Sequence, residues 1–399
     1  MTVETAEIRN LRWLIEDEAA EIFAQFDKPD LSLSQLSQLR KAIGPERATL
    51  IAEQLELRWR GRAKFAAADR MFFTRTGLEQ ATDEAIARYK ANRLGAGAHA
   101  ADLCCGVGGD LIALSAGRRA VGVDLSPQLS LLAQANCAAH RQVIDVQCGD
   151  AASHDVAAYD AWHCDPDRRA TDRRTTQLDA FSPTTEQLDQ LRRINENAAI
   201  KLAPATQTPA EWEDAAELEW ISSRRECRQL IAWFGKLAVR PGERSATHLD
   251  RHGIAHRFAG TADFALQTAP SINAYLFEPD PAVLAAGLVD AFAAQHRLGR
   301  IMPRSVYLTG EQPLANALVA SFRVREITTI DRKSLTKKLQ EQGIGRLEVK
   351  VRGLDIRPET FLKKLRLSGD AAATLFLTPT VDGNRAILCD RVDLESIRP

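Results

Sequence analysis

Residues 102–124 combine a glycine-rich loop with two aspartates, a pattern typical of a nucleotide site. The stretch reads DLCCGVGGDLIALSAGRRAVGVD, and each aspartate, Asp102 and Asp124, ends a short apolar segment. Glycines at the turn between a strand and a helix let the backbone approach a ligand closely. The pattern therefore predicts a βαβ unit that binds a nucleotide-like molecule.

The spacing of the glycines argues against two common nucleotide sites. A dinucleotide fingerprint requires G-x-G-x-x-G, and counting from Gly106 places Leu111 where the third glycine should be. A Walker loop is excluded too, because no Lys-Ser/Thr pair follows. Asp102 would repel a pyrophosphate, whereas its carboxylate suits an ammonium group. S-adenosylmethionine carries an amino-acid moiety and a sulfonium and no phosphate, so these residues favour it over NAD.

The segments that must position these residues alternate between strands and helices from about Arg93 to Pro204. This alternation predicts an α/β fold with a doubly wound, Rossmann-like parallel sheet. In such sheets ligands bind at the carboxyl ends of the strands. Four aspartates are expected at that edge because they follow the first four predicted strands in order: Asp102, Asp124, Asp150 and Asp165.

With these motifs in order, the chain resembles class I S-adenosylmethionine-dependent methyltransferases of the trimethylguanosine synthase type, which methylate a cap-guanine amine. The resemblance covers roughly residues 70–205 and rests on DLCCGVGGD, VGVDLSP, CGDA and CDPD, with FFTRTGLEQAT where that family has a segment that closes over the cofactor. It implies that Asp124 binds the ribose hydroxyls and Asp150 the adenine amine. The cofactor-binding residues implied are Asp102, Cys104, Cys105, Gly106, Gly108, Asp124, Leu125, Asp150 and Ala151.

The same resemblance implies where chemistry occurs. Amine methyltransferases commonly carry D/N/S-P-P and an aromatic residue after the fourth strand, where this chain reads Asp165-Pro166-Asp167-Arg168. Asp165 and the Pro166 carbonyl can still hold an amine toward the methyl group, which is catalysis by positioning. The second proline and the aromatic ring are missing, and the guanidinium of Arg168 could stack on a base instead. We therefore expect a nitrogen methyltransferase with Asp165, Pro166 and Arg168 as its catalytic residues.

The C-terminal segment is basic within a chain of net charge −1. From Arg323 to Arg366 there are 13 Lys/Arg and 6 Asp/Glu, a local balance of +7, which suggests a polyanion-binding face. The C-terminal half also resembles bacterial methyltransferases that end in a THUMP-like domain, and THUMP domains present RNA to modifying enzymes. The predicted partner is RNA, and the predicted phosphate contacts are Lys337, Lys338, Lys350, Arg352, Lys363 and Lys364.

These observations predict four regions in the 399 residues. They are a helical region (1–70), a Rossmann-like methyltransferase domain (71–275), a connecting helix and strand (276–320) and a basic THUMP-like α+β domain (321–399). The function expected is methylation of a nitrogen of an RNA base. Two alternatives stay open: a non-catalytic or weakly catalytic RNA-binding protein that retains the fold, and a methyltransferase with a small-molecule or protein acceptor.

Composition bounds the remaining possibilities. No apolar run approaches the length of a membrane span, and the acidic, polar start MTVETAEIRN does not suit a signal peptide, so we expect a cytoplasmic protein. Seven cysteines form no CxxC pair, which argues against a zinc site or a disulfide framework. His248, His252 and His256 would share one face only on a helix, and Gly253 favours a hairpin turn there. No metal is expected.

Overall fold

The computed structural model describes residues 5–95, 97, 99–167, 181–262 and 266–393. Contacts within the chain divide it into two units: Met1–Leu218 with Gln229–Gly242, and Glu219–Arg228 with Glu243–Pro399.

The first unit begins with four helices: α1 (Ala6–Leu14), α2 (Asp17–Phe23), α3 (Leu33–Ile43) and α4 (Pro45–Gly61). Local chemistry explains where they start. Ser32 and Gln35 form a reciprocal capping box at the start of α3, and Pro45 occupies the first turn of α4. Their apolar faces share one core, which includes Leu11, Trp13, Leu14, Phe23, Leu39 and Ile51.

The rest of the first unit contains the predicted parallel sheet. Its strands are β1 (Ala100–Leu103), β2 (Ala120–Asp124), β3 (Asp145–Cys148), β4 (Ala161–Cys164) and β5 (Ala198–Leu202). The helices before and between them are α5 (Arg75–Gln80), α6 (Glu84–Arg93), α7 (Gly109–Leu114), α8 (Pro127–Ala139) and α9 (Thr185–Ile194), and α10 (Ala210–Ala215) follows β5. The parallel strands lie in the order β3-β2-β1-β4-β5, and β7 (Glu226–Trp233) pairs antiparallel with β5. This arrangement confirms the doubly wound α/β prediction.

The order of the strands reverses between β1 and β4, which makes their carboxyl ends the expected ligand site. Helix α7 packs closely against the sheet although the third glycine of a dinucleotide loop is missing. Leu111 occupies that position, and the space it needs comes from Gly122 on β2. A Cβ added to Gly122 would lie 2.5 Å from Leu111 Cδ2. The small residue that this close packing requires is therefore on the strand, whereas a dinucleotide loop has it on the helix.

The second unit contains β6 (Glu217–Ser223) over most of its length, and an antiparallel hairpin of β8 (Arg244–Leu249) and β9 (Ala255–Gly260). His248 lies opposite His256 in this hairpin, so the histidine-rich segment is not a helix, in agreement with the turn that Gly253 predicts. Two helices, α11 (Pro281–Ala285) and α12 (Val289–Gln295), follow β10 (Tyr275–Pro279).

A seven-stranded sheet completes the second unit, in the order β11-β12-β10-β13-β16-β15-β14. Its remaining elements are β11 (Gly299–Arg300), β12 (Leu308–Gly310), β13 (Val319–Thr329), α13 (Arg332–Glu341), β14 (Ile344–Val351), α14 (Pro358–Lys363), β15 (Ala371–Thr380) and β16 (Gly383–Arg391). From β13 onward this is the predicted strand, helix, strand, helix and hairpin. Leu335 and Leu339 of α13 and Phe361 of α14 share one apolar core with the sheet.

Candidate functional site

A cavity of about 420 Å³ lies at the carboxyl ends of β1, β2 and β4. Most of the predicted cofactor and catalytic residues line it: Asp102, Cys104, Cys105, Gly106, Asp124, Leu125, Asp150, Ala151, Asp165 and Pro166. The predicted covering segment also contributes, through Gly77, Gln80, Ala81 and Thr82. Gly108 does not line the cavity and instead precedes α7, with a left-handed φ of 87° that favours glycine. Arg168 lies outside the described residues.

The loop after β1 is held against the end of β2 by Asp124. The backbone N–H of Gly106 donates to Asp124 Oδ2 at 2.8 Å, and that of Ser126 donates to Asp124 Oδ1 at 2.9 Å. Gly106 has a φ of 56°, and a Cβ added there would meet no atom within 4 Å. Glycine is therefore favoured at position 106 by the positive φ of the turn and not by a close contact. Burial raises the pKa of Asp124, while these two backbone hydrogen bonds oppose the shift.

Asp102 belongs to a buried chain of polar side chains that the sequence analysis did not identify. His163 Nδ1 lies 2.7 Å from Asp102 Oδ1, and His163 Nε2 lies 3.1 Å from Lys90 Nζ. Lys90 Nζ also lies 2.7 Å from Asp110 Oδ1, and the Thr82 hydroxyl donates to Asp110 Oδ2 at 2.7 Å. Both ring nitrogens of His163 have a hydrogen-bond partner when Lys90 donates to Nε2 and the Nδ1–H donates to Asp102 Oδ1.

The charged side chains of this network shift one another's pKa values. Burial raises the pKa of Asp102, and His163 opposes the shift. Burial lowers the pKa of Lys90, and Asp110 opposes that shift. Burial would also raise the pKa of Asp110, but Lys90 and His163 outweigh it and hold the pKa of Asp110 well below its usual range. The network therefore keeps a carboxylate and an ammonium paired deep beside the loop.

One oxygen of Asp102 has no hydrogen-bond partner among the described residues. The residue is 1% exposed, and its Oδ2 is buried without a hydrogen-bond partner in the described part of the chain. A buried carboxylate oxygen without a donor is costly. Because Asp102 also lines the cavity, a ligand ammonium there would supply the missing donor.

Asp165 at the end of β4 is held by a lysine from the next strand. Lys201 Nζ on β5 lies 2.5 Å from Asp165 Oδ2 and donates to the backbone carbonyl of Gln80 at 3.3 Å. The Lys201 side chain is 8% exposed and that of Asp165 is 25% exposed. The carboxylate thus faces the cavity with a fixed position and a paired charge.

Two site residues that the sequence analysis did not identify, Lys201 and His163, had a signal in the sequence. Lys201 interrupts the apolar strand AIKLAP, and His163 interrupts AWHC, whose other residues are also buried. A charged or polar residue inside a buried strand must have a partner. The sequence does not say which partner, because that depends on which strands are neighbours.

The six predicted RNA-binding residues differ in whether a carboxylate already pairs with them. Three form ion pairs: Lys337 with Glu341, Lys338 with Glu326, and Lys350 with Glu278 and Glu348. Arg352 is exposed directly after β14. Lys363 and Lys364, at the end of α14, are exposed and have no ion pair among the residues that the structure describes.

No helix in the described ranges is both long enough and apolar enough to span a bilayer.

Comparison with known proteins gives a consistent result. The THUMP domain-like family matches residues 319–391. An uncharacterized S-adenosylmethionine-dependent methyltransferase of Mycobacterium tuberculosis CDC 1551 is 31% identical over 347 residues, which cover 84% of this chain and 93% of the relative. A protein of strain H37Rv with the same description matches equally well.

The fold is shared with a solved structure as well. A candidate methyltransferase of Porphyromonas gingivalis W83 superposes with a TM-score of 0.76 and 20% identity, covering 98% of this chain and 100% of that one. The methyl donor follows from the similarity to the mycobacterial relative, whose description names S-adenosylmethionine. The chain belongs to the S-adenosylmethionine-dependent methyltransferases, with a THUMP-like domain at its C-terminal end.

Proposed function

We propose that this protein transfers the methyl group of S-adenosylmethionine to a nitrogen of an RNA base. The observation that carries the proposal is the Asp165–Lys201 pair at the edge of the cofactor cavity. A carboxylate fixed in this way can accept a hydrogen bond from an amine and direct its lone pair toward the methyl group. The likeness of the loop to the trimethylguanosine synthase type supports an amine acceptor.

The cavity residues fit the donor that the family uses. Asp102 Oδ2 has no hydrogen-bond partner among the described residues, and it would accept a hydrogen bond from the ammonium group of S-adenosylmethionine. Each oxygen of Asp124 already accepts one backbone hydrogen bond and keeps a second lone pair for a ribose hydroxyl. Asp150 Oδ1 accepts from the Ala152 N–H, so its other oxygen can accept a hydrogen bond from the adenine amine.

Asp124→Ala should weaken binding of S-adenosylmethionine by about 1–3 kcal/mol, because hydrogen bonds to a charged group are removed. Isothermal titration calorimetry with S-adenosylmethionine and S-adenosylhomocysteine measures the change. Asp145→Ala is a matched control, since Asp145 is an exposed carboxylate on β3 that does not line the cavity. Equal affinities for the Asp124 variant and the unmodified protein would remove the ribose contact from the proposal.

The proposed acceptor is RNA because the THUMP-like domain is basic and carries exposed lysines without an ion pair in its described part. Lys363 and Lys364 are the strongest candidates for phosphate contacts, since no carboxylate in the described chain neutralises them. Lys350 is a weaker candidate because Glu278 and Glu348 lie 2.9 and 3.2 Å from its ammonium.

A variant with both Lys363→Ala and Lys364→Ala should bind RNA less tightly and with a weaker salt dependence. We expect the slope of log K against log salt to fall by about two, one for each phosphate that a lysine no longer neutralises. Fluorescence anisotropy with structured RNA at several salt concentrations measures it. Arg325→Ala is the control from the same domain, because Arg325 pairs with Asp390, and it should change the slope little. Substitutions are preferable to truncation at residue 320, because β13 pairs with β10.

The acceptor class is tested by incubating the protein with labelled methyl donor and total RNA, total protein or small metabolites. Label in RNA that digests to a modified base supports the proposal. Label in protein or in metabolites assigns the other acceptor classes. Donor binding and RNA binding without transfer in any fraction would identify a non-catalytic RNA-binding protein.

A further inference from the structure

A second cavity, of about 430 Å³, lies among the N-terminal helices of the first unit. Its volume is in the range of small-molecule sites. None of its lining residues lines the cofactor cavity. Four cationic and four aromatic side chains contribute to its wall, among them Arg58, Arg62, Trp59 and Phe72.

Arg58 on α4 is the central feature of this cavity. The residue is 8% exposed, and its guanidinium carbon lies 3.8 Å from the ring centre of Phe23 and 4.7 Å from that of Phe72. Its Nε donates to the carbonyl of Met71 at 2.9 Å. The two terminal nitrogens have no hydrogen-bond partner among the described residues. A guanidinium fixed by rings on its faces and open at its fork is ready for a bidentate anion.

The charges around Arg58 leave it without a close counterion in the described part of the chain. Three carboxylates also line the cavity, those of Glu16, Asp27 and Asp69, and all three residues are exposed. Asp69 forms an ion pair with Arg62, whose Nε lies 2.9 Å from Asp69 Oδ1. Burial lowers the pKa of Arg58 to about 10, with Asp69 opposing the shift, so the group stays charged at neutral pH. A buried, unpaired cation is costly unless an anion joins it.

Trp59, the residue after Arg58 on α4, adds an aromatic surface to the same cavity. Trp59 is 50% exposed, which is unusual for so large an apolar side chain, and the guanidinium of Arg62 lies 4.5 Å from its ring centre. Half-exposed indole rings and guanidinium planes are surfaces on which nucleobases stack. A phosphate on Arg58 and a base on Trp59 would use both features at once.

We propose that this cavity binds a nucleotide through its phosphate, with Arg58 holding the phosphate oxygens and Trp59 contacting the base. The nucleotide is either free or part of an RNA strand. The inference does not depend on methyl transfer, because Arg58 and Trp59 lie on α4 and do not line the cofactor cavity.

The test is calorimetric titration of the full-length protein with four probes: inorganic phosphate, adenosine, adenosine 5′-monophosphate, and a short 5′-phosphorylated oligoribonucleotide. We expect the monophosphate to bind with saturation, adenosine to bind at least about tenfold more weakly, and phosphate to compete. An oligoribonucleotide that binds tighter than the monophosphate assigns the site to RNA. Equal or weaker binding assigns it to a free nucleotide.

Variants then separate the two contacts. Arg58→Met should weaken monophosphate binding about tenfold or more, and Trp59→Ala should weaken the monophosphate but not inorganic phosphate. Arg60→Ala is the matched control, since Arg60 is an exposed arginine on the same helix, pairs with Glu56 and lies outside the cavity. If Arg58→Met does not fold, the Trp59 and Arg60 variants still decide the question. Monophosphate binding that is absent, or insensitive to both Arg58 and Trp59, would overturn the proposal.

Discussion

Asp165→Ala should reduce methyl transfer by at least about 100-fold while leaving binding of S-adenosylhomocysteine unchanged, because removal of a positioning group of this kind costs that much in rate. The carboxylate lies at the cavity edge with Lys201 Nζ 2.5 Å from its Oδ2, so the proposed acceptor would have no carboxylate to bind and the ammonium would be left unpaired. Transfer is measured with labelled donor and total RNA, and binding by calorimetry.

Two further variants sharpen this result. Asp165→Asn retains an acceptor oxygen of the same shape and should lose less activity than the alanine variant. Glu186→Ala removes an exposed carboxylate in the first turn of α9 and should leave transfer at its original rate. Undiminished transfer by Asp165→Ala would make Asp165 a structural cap of its strand and would place the acceptor elsewhere in the cavity.

Lys90→Met should lower the free energy of unfolding by about 3–5 kcal/mol, since it leaves the buried Asp110 carboxylate without its counterion. The two side chains are 1% and 8% exposed, and Lys90 also contacts His163 Nε2. The destabilisation would appear in urea unfolding followed by tryptophan fluorescence, to which the fully buried Trp162 on β4 contributes.

A double variant identifies the cause of that destabilisation. Lys90→Met with Asp110→Asn removes both charges and keeps an oxygen for the Thr82 hydroxyl, so most of the stability should return. Lys337→Met breaks the exposed pair with Glu341 and should leave stability unchanged within error. A double variant as unstable as Lys90→Met alone would show that packing, and not the unpaired charge, is responsible.

Much of the fold was predictable because its signals are local. Apolar runs of strand length alternate with amphipathic segments from β1 to β5, and the predicted strand, helix, strand, helix and hairpin of the C-terminal domain are present. The glycine loop after β1 was predictable for the same reason, since its glycines and Asp102 follow one another along the chain. The segment FFTRTGLEQAT was expected over the cofactor, and Gly77, Gln80, Ala81 and Thr82 of it line the cavity.

The charge count of the C-terminal domain was a poorer guide to individual residues. A sum of lysines and carboxylates along the chain does not reveal which of them meet after folding. Lys350 and Glu278 are 72 positions apart, yet their charged atoms lie 2.9 Å apart. Lys363 and Lys364, at the end of α14, are the predicted lysines that combine exposure with no ion pair among the described residues.

The sequence by itself determined the parallel sheet, the methyl donor and the aspartates at the strand ends, because periodicity and motif spacing act over a few residues. The tertiary structure alone decided which charges meet. Asp102 and His163 become neighbours because β1 and β4 pair in parallel with these two residues in register, although they are 61 positions apart. Lys201 reaches Asp165 because β5 lies next to β4. Strand order is a property of the whole packed sheet, so the partners of a buried lysine or histidine depend on every strand between them.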